Sequence, residues 1–337
     1  MQKIIDDMIQ KSQEMLKSGA VCAVFAWKKG NLVYDVSPAV FSSSDELLNI
    51  HYDDFCASNL SKYLVAQEKP DGTSLVFLKP CDTYSLNQLL SENQVSRDKV
   101  YAVGIGCAGK LDINKLSALG ITGILEIDDD GDGENLTIKT LYGDKSCARQ
   151  SVYLDKCLNC KGKEHKVFDE LIGESISDGS GDGLSSGISE NDRFSPVADI
   201  ESKSSDERFA FWRGELSKCV RCNACRDVCP ACTCRKCIFD NVGSGVRGKV
   251  NASEFEENLY HIIRGYHVAG RCSDCGECSR VCPQSIPLHL INRKFIKDIN
   301  SFFGEFQVGE TSEFSPPLLR FDFDDAEPGD IIGREGD

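Results

Sequence analysis

Apolar side chains recur at helical spacing at the start of the chain, with charged residues between them. They are Ile4, Ile5, Met8, Ile9 and Leu16. This pattern predicts an amphipathic helix over residues 1–15. Two short apolar runs follow, at residues 21–27 and 32–36, and the turn between them contains Gly30. They predict a β-hairpin.

The next segment predicts a strand, a helix and a second strand. Residues 74–79 and 99–106 are short apolar runs, and residues 84–93 between them carry a helical pattern. Strands this apolar are typical of a parallel sheet that is covered on both faces. Two further apolar runs, 121–127 and 136–142, face each other across an acidic turn.

Composition divides the chain into an α/β domain over residues 1–172 and three later segments. Residues 173–208 are rich in Gly, Ser, Asp and Glu, which predicts an acidic linker or an extended arm. Residues 209–305 hold most of the cysteines and a helical pattern, and we expect the two histidines of that helix, at positions 261 and 267, to be surface or packing residues. Residues 306–337 form an acidic tail.

Charge and cysteine usage exclude several classes of protein. The net charge of −15 argues against a nucleic-acid partner. No apolar run approaches the length that a membrane-spanning helix needs, so no span is predicted. The chain has 18 cysteines, but its charged N-terminal segment lacks the apolar core of a secretory signal peptide. We therefore predict metal ligands in a reducing cytoplasm rather than disulfides.

One cysteine pattern occurs twice in the second half of the chain. Its copies are Cys219, Cys222, Cys225, Cys229 with Pro230, and Cys272, Cys275, Cys278, Cys282 with Pro283. Such a CxxCxxCxxxCP run holds three corners of one [4Fe-4S] cluster and sends its fourth cysteine to the neighbouring cluster. The predicted ligands are Cys219, Cys222, Cys225 and Cys282 for cluster 1, and Cys272, Cys275, Cys278 and Cys229 for cluster 2. Structural zinc is the alternative, but a zinc knuckle needs only two cysteines. Residues 209–305 are thus predicted to be a mainly α-helical two-cluster ferredoxin domain.

Four cysteines of the first domain can form a third site. Cys81 and Cys107 each follow a predicted strand, and Cys157 and Cys160 form a CxxC pair. Parallel neighbouring strands would bring Cys81 and Cys107 to the carboxyl edge of the sheet, where open α/β folds bind ligands. We predict a third [4Fe-4S] cluster on these four residues. The alternative is that Cys81 and Cys107 are small buried side chains.

Cys232, Cys234 and Cys237 follow the first motif closely and lack an obvious fourth ligand. A further iron-sulfur cluster ranks first for them, and the alternatives are a zinc knuckle or a contribution to the third site.

A glycine-rich loop offers a competing interpretation of the first domain. Gly104, Gly106 and Gly109 follow a strand with the GxGxxG spacing of dinucleotide-binding loops. Cys107 occupies the middle of this loop, and only a short helix is predicted after it. Nucleotide binding is therefore the alternative for this loop rather than the main prediction.

Residues 74–173 resemble the beta subunits of deazaflavin-coenzyme-reducing hydrogenases and of the related formate dehydrogenases. The likeness rests on the run Lys79-Pro80-Cys81-Asp82, the loop with Cys107, and the pair Cys157 and Cys160. It implies an α/β electron-transfer module with these four cysteines as cluster ligands. Some members of that family also bind FAD, but no flavin-contacting residue can be matched here. The later cysteine-rich segment resembles the α-helical ferredoxin module of heterodisulfide reductase.

The sequence therefore predicts an iron-sulfur electron-transfer subunit of a cytoplasmic, anaerobic, multisubunit oxidoreductase. Its predicted partners are a hydrogenase, a formate dehydrogenase or a heterodisulfide-reductase-like flavoprotein. No acid, base or substrate pocket can be named, so the substrate chemistry is assigned to those partners. The alternatives are a flavin-dependent enzyme acting on a deazaflavin or nicotinamide coenzyme and, more weakly, a zinc-binding scaffold.

Overall fold

A computed structural model describes residues 2–65, 72–129, 133–162, 164–173, 193–241, 243, 254–312 and 317–319. Much of the predicted linker and tail, namely residues 174–192, 313–316 and 320–337, lies outside the described residues.

A mixed six-stranded sheet forms the centre of the N-terminal half. Its strands are β1 (Ala23–Lys29), β2 (Val36–Phe41), β3 (Ile50–His51), β4 (Ser74–Leu78), β5 (Val100–Ile105) and, later in the chain, β9 (Glu170–Ile172). The order is β2-β1-β4-β5-β9, with β3 also paired to β1. Strands β1, β4, β5 and β9 are parallel, while β2 and β3 run antiparallel to β1. The predicted parallel sheet is thus present with two antiparallel additions.

Helices cover this sheet because its central strands are apolar on both faces. All five residues of β4 are buried. Helix α1 (Gln2–Lys17) packs fully buried Met8 against the sheet, and α2 (Pro80–Ser91) follows β4 directly. Pro80 suits the first turn of α2, where a backbone N–H has no partner within the helix.

The predicted hairpin begins its second strand later than expected. Residues 30–35 form the connection, in which the Gly30 N–H donates to the Asp35 carbonyl at 2.6 Å and the Asn31 N–H donates to the Asp35 carboxylate at 3.3 Å. The second strand therefore starts at Val36, and the prediction of a strand over 32–36 is wrong in position.

A second, antiparallel sheet extends the N-terminal half. It consists of β6 (Ile124–Asp129), β7 (Asn135–Thr140) and β8 (Lys145–Ala148), and helices α3 (Ile113–Ala118) and α4 (Asp155–Leu158) flank it in sequence. Short 3-10 helices occur at Glu46–Asn49, Leu60–Val65, Arg97–Lys99, Arg149–Val152, Ile238–Asp240 and Pro317–Leu319.

The C-terminal half is helical. Its helices are α5 (Ser195–Glu201), α6 (Ser205–Ser217), α7 (Ala224–Asp227), α8 (Glu254–Val268), α9 (Glu277–Arg280) and α10 (Leu288–Phe303). Helix α6 begins at a capping box in which the Ser204 hydroxyl accepts from the Glu207 N–H at 3.3 Å. Residues 195–201 and 205–208 of the segment predicted as a linker or arm are therefore helical. Within the described ranges, no helix has the length and hydropathy that crossing a membrane requires.

Candidate metal centres

The two cysteine motifs fold into matching backbone turns. Arg221 and Asp274, at equivalent places between the first two cysteines, both have φ of 53°. Asn223 and Gly276, which follow the second cysteine in each motif, have φ of 63° and 67°. Each turn then enters a four-residue helix, α7 or α9, that carries the third cysteine. The sequence repeat is thus also a structural repeat, with three cysteines gathered on one side of each loop.

The backbone of each loop donates to its first cysteine. The Arg221 N–H lies 3.3 Å from Cys219 Sγ, and the Asp274 N–H lies 3.4 Å from Cys272 Sγ. Hydrogen bonds to sulfur favour the thiolate and tune an iron-sulfur cluster that it binds.

The fourth cysteine of each motif lies with the first three cysteines of the other motif. One cavity is lined by Cys219, Cys222, Cys225 and Cys282. The second set consists of Cys229 and the first three cysteines of the second motif. Burial is the main reason why the pKa of each of those three thiols is raised, and the charge of Cys229 raises all three further, so Cys229 lies near each of them. The geometry therefore agrees with the crossed arrangement, while the ligand assignment stays a prediction.

Helix α8 turns a polar face towards these cysteines. Tyr260, His261 and Arg264 are at most 3% exposed. The Arg264 guanidinium donates to the Cys225 carbonyl at 2.8 Å and lies close to thiols of both motifs. Positive charge here stabilises thiolates in an interior where they would otherwise be costly.

His261 lines the same cavity as Cys219 and Cys282. Neither of its ring nitrogens has a hydrogen-bond partner within the part of the chain that the structure describes. Burial, together with the charges of Arg264 and Arg221, lowers the pKa of His261 to about 3, so the ring is neutral and keeps one N–H donor. The buried ring agrees with the expected packing residue, but its position at the wall of this cysteine cavity was not predicted. The sequence did contain one indication: His261 and Arg264 are three residues apart, so they share one face of the helix.

The four cysteines predicted for the third site converge at the sheet edge. Strands β4 and β5 end in register, with Leu78 opposite Gly104, so Cys81 and Cys107 emerge side by side. A hydrogen bond with Cys160 and burial raise the pKa of Cys81. Burial, with Cys107 and Cys81 nearby, raises the pKa of Cys157 to about 12. These thiols are therefore close neighbours, as a shared metal centre requires.

The loop of the third site packs against the loop of the second motif. Buried Lys156, next to Cys157, forms an ion pair with Glu277, next to Cys278. Lys161, next to Cys160, donates to the Ser273 carbonyl. Gly276 lies so close to Lys156 that no larger side chain would fit there. Two cysteine sites that are far apart in sequence are thus in direct contact through their loops.

Comparison with known proteins identifies the helical segment. Residues 215–286 match the 4Fe-4S dicluster domain family. The helical half contains a 4Fe-4S dicluster domain. The resemblance to formate dehydrogenase beta subunits is confirmed as well, by two relatives that cover most of this chain.

The first relative, the beta subunit of an F420-dependent formate dehydrogenase from Methanocaldococcus jannaschii, is 25% identical over 91% of this chain and 92% of its own. The second, the beta subunit of F420-dependent formate dehydrogenase 1 from Methanococcus maripaludis, is 26% identical over 68% of this chain and 73% of its own. Among solved structures, a chain of the F420-reducing [NiFe] hydrogenase complex from Methanosarcina barkeri aligns with a TM-score of 0.35 and 12% identity, over 43% of this chain and 55% of that one.

The spacing of the donor atoms bears on the choice between single zinc ions and iron-sulfur clusters. In a tetrahedral zinc site with Zn–S bonds of about 2.3 Å, neighbouring sulfurs lie about 3.8 Å apart. Among the described residues, the one group with three potential ligand atoms within 4.8 Å of one another is Cys219, Glu257 and His261. Cys219 therefore belongs to a group with zinc-like spacing, whereas none of the three predicted sets of four cysteines forms such a group among the described residues.

The glycine-rich loop is accounted for by packing within the protein. The space where Gly104 would carry a Cβ is filled by Leu171 and His165, and the corresponding space at Gly109 is filled by the ring of Tyr153. These glycines thus allow close approach of protein side chains, which is a sufficient reason for their small size.

Proposed function

We propose that this chain is an iron-sulfur electron-transfer subunit of a multisubunit oxidoreductase and relays single electrons between partner subunits. The observation that carries the proposal is the contact between the third cysteine site and the dicluster domain. There the Lys156–Glu277 ion pair and the Lys161–Ser273 hydrogen bond join the two cysteine loops. A relay needs neighbouring redox centres, and this contact supplies the link between the two halves.

The proposed relay has three centres. Cys81, Cys107, Cys157 and Cys160 would hold the cluster of the α/β domain, and the two crossed sets of four cysteines would hold those of the dicluster domain. Iron-sulfur clusters at these sites would supply one-electron oxidation and reduction. The chain's own residues set the surroundings, through backbone N–H donors at Cys219 and Cys272 and the buried cation Arg264.

The same contact explains how the relay is held together. The Glu277 side chain is 2% exposed, and its carboxylate also accepts from Arg280 at 2.7 Å and from the Asn59 N–H at 3.3 Å. Burial alone would raise the pKa of Glu277, but the Arg280 and Lys156 charges outweigh it and lower that pKa. The carboxylate therefore stays ionised and ties the α/β domain to the cluster-bearing loop.

The proposed partners are the catalytic subunits of a formate dehydrogenase or a hydrogenase in a reducing cytoplasm. The beta subunits related to this chain belong by name to F420-dependent formate dehydrogenases. That relationship also favours a second candidate function, in which the α/β domain binds FAD and exchanges electrons with a deazaflavin coenzyme.

Iron counting on the anaerobically purified full chain tests the relay. Three cubanes need about 12 irons per chain, against about 8 for the dicluster domain alone. We expect Cys157→Ser/Cys160→Ser to remove about 4 irons, while Cys147→Ser, in β8, changes nothing. Unchanged iron in the double variant would remove the third centre. Flavin assayed in the same sample decides the second candidate: one tightly bound FAD per chain, with coenzyme reduction by this chain alone, would favour it.

A further inference from the structure

A third group of cysteines surrounds a cavity of its own. Cys232, Cys234 and Cys237 all line a space of about 300 Å³ beside the C-terminal end of α8. His267, on the last turn of α8, lines the same space. The sequence offered no fourth ligand for these cysteines, and the fold supplies this histidine from 30 residues further along the chain.

The cavity wall carries more cations than anions, although Arg226 is paired with both of its anions and Arg271 is paired with Glu92. Its cations are Lys62, Arg226, Arg235, Arg264 and Arg271, and its anions are Asp227 and Asp240. Two of these cations also contact the cysteines or lie near them. Lys62 donates to the Cys232 carbonyl at 2.7 Å, and Arg271 donates at 3.5 Å to the hydroxyl of Thr233, which lies between Cys232 and Cys234 in the chain. Such surroundings stabilise an anionic occupant, and a metal core held by thiolates is one.

The spacing of the donor atoms selects among metals. Sulfur and imidazole ligands suit zinc and iron-sulfur centres. No three of these four side chains bring their ligand atoms within 4.8 Å of one another, although all four are described. A single zinc ion would need a tighter set than these four side chains form, and the cavity that they line has room for a polynuclear core.

The site adjoins the dicluster domain without sharing its ligands. The Cys232 N–H donates to the carbonyl of Cys229, the fourth cysteine of the first motif, at 3.1 Å. Cys234 and His267 are exposed, so the cavity opens to solvent. A centre here would be close to cluster 2 and accessible from outside.

We propose that Cys232, Cys234, Cys237 and His267 ligate a fourth iron-sulfur cluster, at which the relay exchanges electrons with a redox partner at the protein surface. The ligand assignment is independent of the proposed function, and only the role as an exchange point rests on it.

The test uses the full chain, reconstituted anaerobically with ferrous iron and sulfide. We expect about 16 irons in the wild type and about 12 in Cys234→Ser/Cys237→Ser, with a matching loss of sulfide. Cys22→Ser, at a cysteine whose Sγ is 3.3 Å from the Thr73 carbonyl in the α/β domain, is the matched control and should change neither count. Equal iron in the double variant and the wild type, or one zinc per chain lost with no loss of iron, overturns the proposal.

A second measurement tests the histidine ligand and leaves all the native cysteines in place. In wild-type protein carrying ¹⁵N-labelled histidine, pulsed EPR of the reduced clusters should show a strongly coupled ligand nitrogen. His267→Gln, a change at an exposed residue, should abolish this coupling, and His267→Cys should retain the iron without it. A wild type without a ligand nitrogen overturns the assignment of His267. The remaining count of about 12 irons reports separately on the three-centre relay, so the two proposals can fail independently.

Discussion

Helices α1 and α8 bury opposite kinds of side chains. In α1, Met8 is fully buried, and the isoleucines beside it pack against the same core. In α8 the apolar stripe faces outward, and the exposed fractions are 71% for Phe255, 41% for Leu259, 43% for Ile262 and 62% for Tyr266. Its buried face is mostly polar, with Glu257, Tyr260, His261 and Arg264, and ends at the apolar Val268.

This difference follows from what each half must surround. The sheet core gains stability from apolar burial, at about 25 cal/mol per Å² removed from water. The dicluster domain surrounds thiolates, and a buried thiolate needs cations and hydrogen-bond donors. A polar interior of this kind stabilises the fold when its metal centres are present, because metal binding is then part of the folding free energy. The two halves should therefore respond differently to the same changes.

Removing the metal should have the largest effect. We expect anaerobic chelation to unfold the dicluster domain, since a structural metal site contributes on the order of 10 kcal/mol. Strands β4 and β5 should stay folded because their core contains no metal ligand. Hydrogen exchange measured by mass spectrometry on the chelated protein checks both statements.

Restoring iron and sulfide is the control for that experiment and should return the protection of α8. If α8 keeps slow amide exchange in the iron-free chain, its polar face is stable without clusters, and the contrast with α1 loses its physical basis.

Local patterns predicted much of both halves. The apolar runs around β4 and β5 defined the strand, helix and strand unit because central parallel strands must be apolar on both faces. The repeated motif predicted a dicluster domain because cubane geometry dictates cysteine spacing. The convergence of Cys81 with Cys160 was also expected, since a strand end and a CxxC pair point to one site.

The rest depends on contacts between distant segments. The spacing of apolar residues predicted helix α8 but not its orientation. A periodic pattern does not reveal which side of a helix faces solvent and which side faces a metal site. Strand β9 has only three residues and is held by its pairing with β5. Helix α5 lies in a segment of disordered composition, yet it buries Val197. The ion pair of Lys156 with Glu277 joins residues 121 positions apart and leaves no local signal.

The junction between the halves should be the next most sensitive place. Glu277→Gln leaves Lys156 and Arg280 without their shared carboxylate, and breaking a buried pair in this way costs about 3 kcal/mol. The guanidinium midpoint of the cluster-loaded protein measures the loss. Glu126→Gln is the matched control, because Glu126 pairs with Lys139 at an exposed site where loss of the ion pair should leave the midpoint nearly unchanged. Equal effects of the two variants would show that Glu277 does not join the halves.

A pair of truncations compares the two helices directly. Met8→Ala opens a cavity in the sheet core and should lower the free energy of unfolding by about 2–5 kcal/mol. Ile262→Ala removes a similar amount of apolar side chain from the outward face of α8 and should cost about 0.5 kcal/mol. Both values come from denaturation of the cluster-loaded chain at one pH. A large loss for Ile262→Ala would mean that the apolar stripe of α8 is part of a core after all.

The smallest effect is expected at His261. It changes the reduction potential of a cluster and not the stability of the fold. The neutral ring carries one N–H inside the cavity lined by Cys219 and Cys282. A cluster in this cavity would offer a sulfur acceptor to this N–H, which is unpartnered among the described residues, and such a hydrogen bond favours the more negative, reduced cluster, so His261→Phe should lower the reduction potential of cluster 1. One hydrogen bond of about 1 kcal/mol corresponds to about 40 mV for one electron. EPR-monitored redox titration measures the shift, and His51→Gln, in the α/β domain, is the control. An unchanged potential, with iron content also unchanged, would mean that the polar face of α8 only fills space.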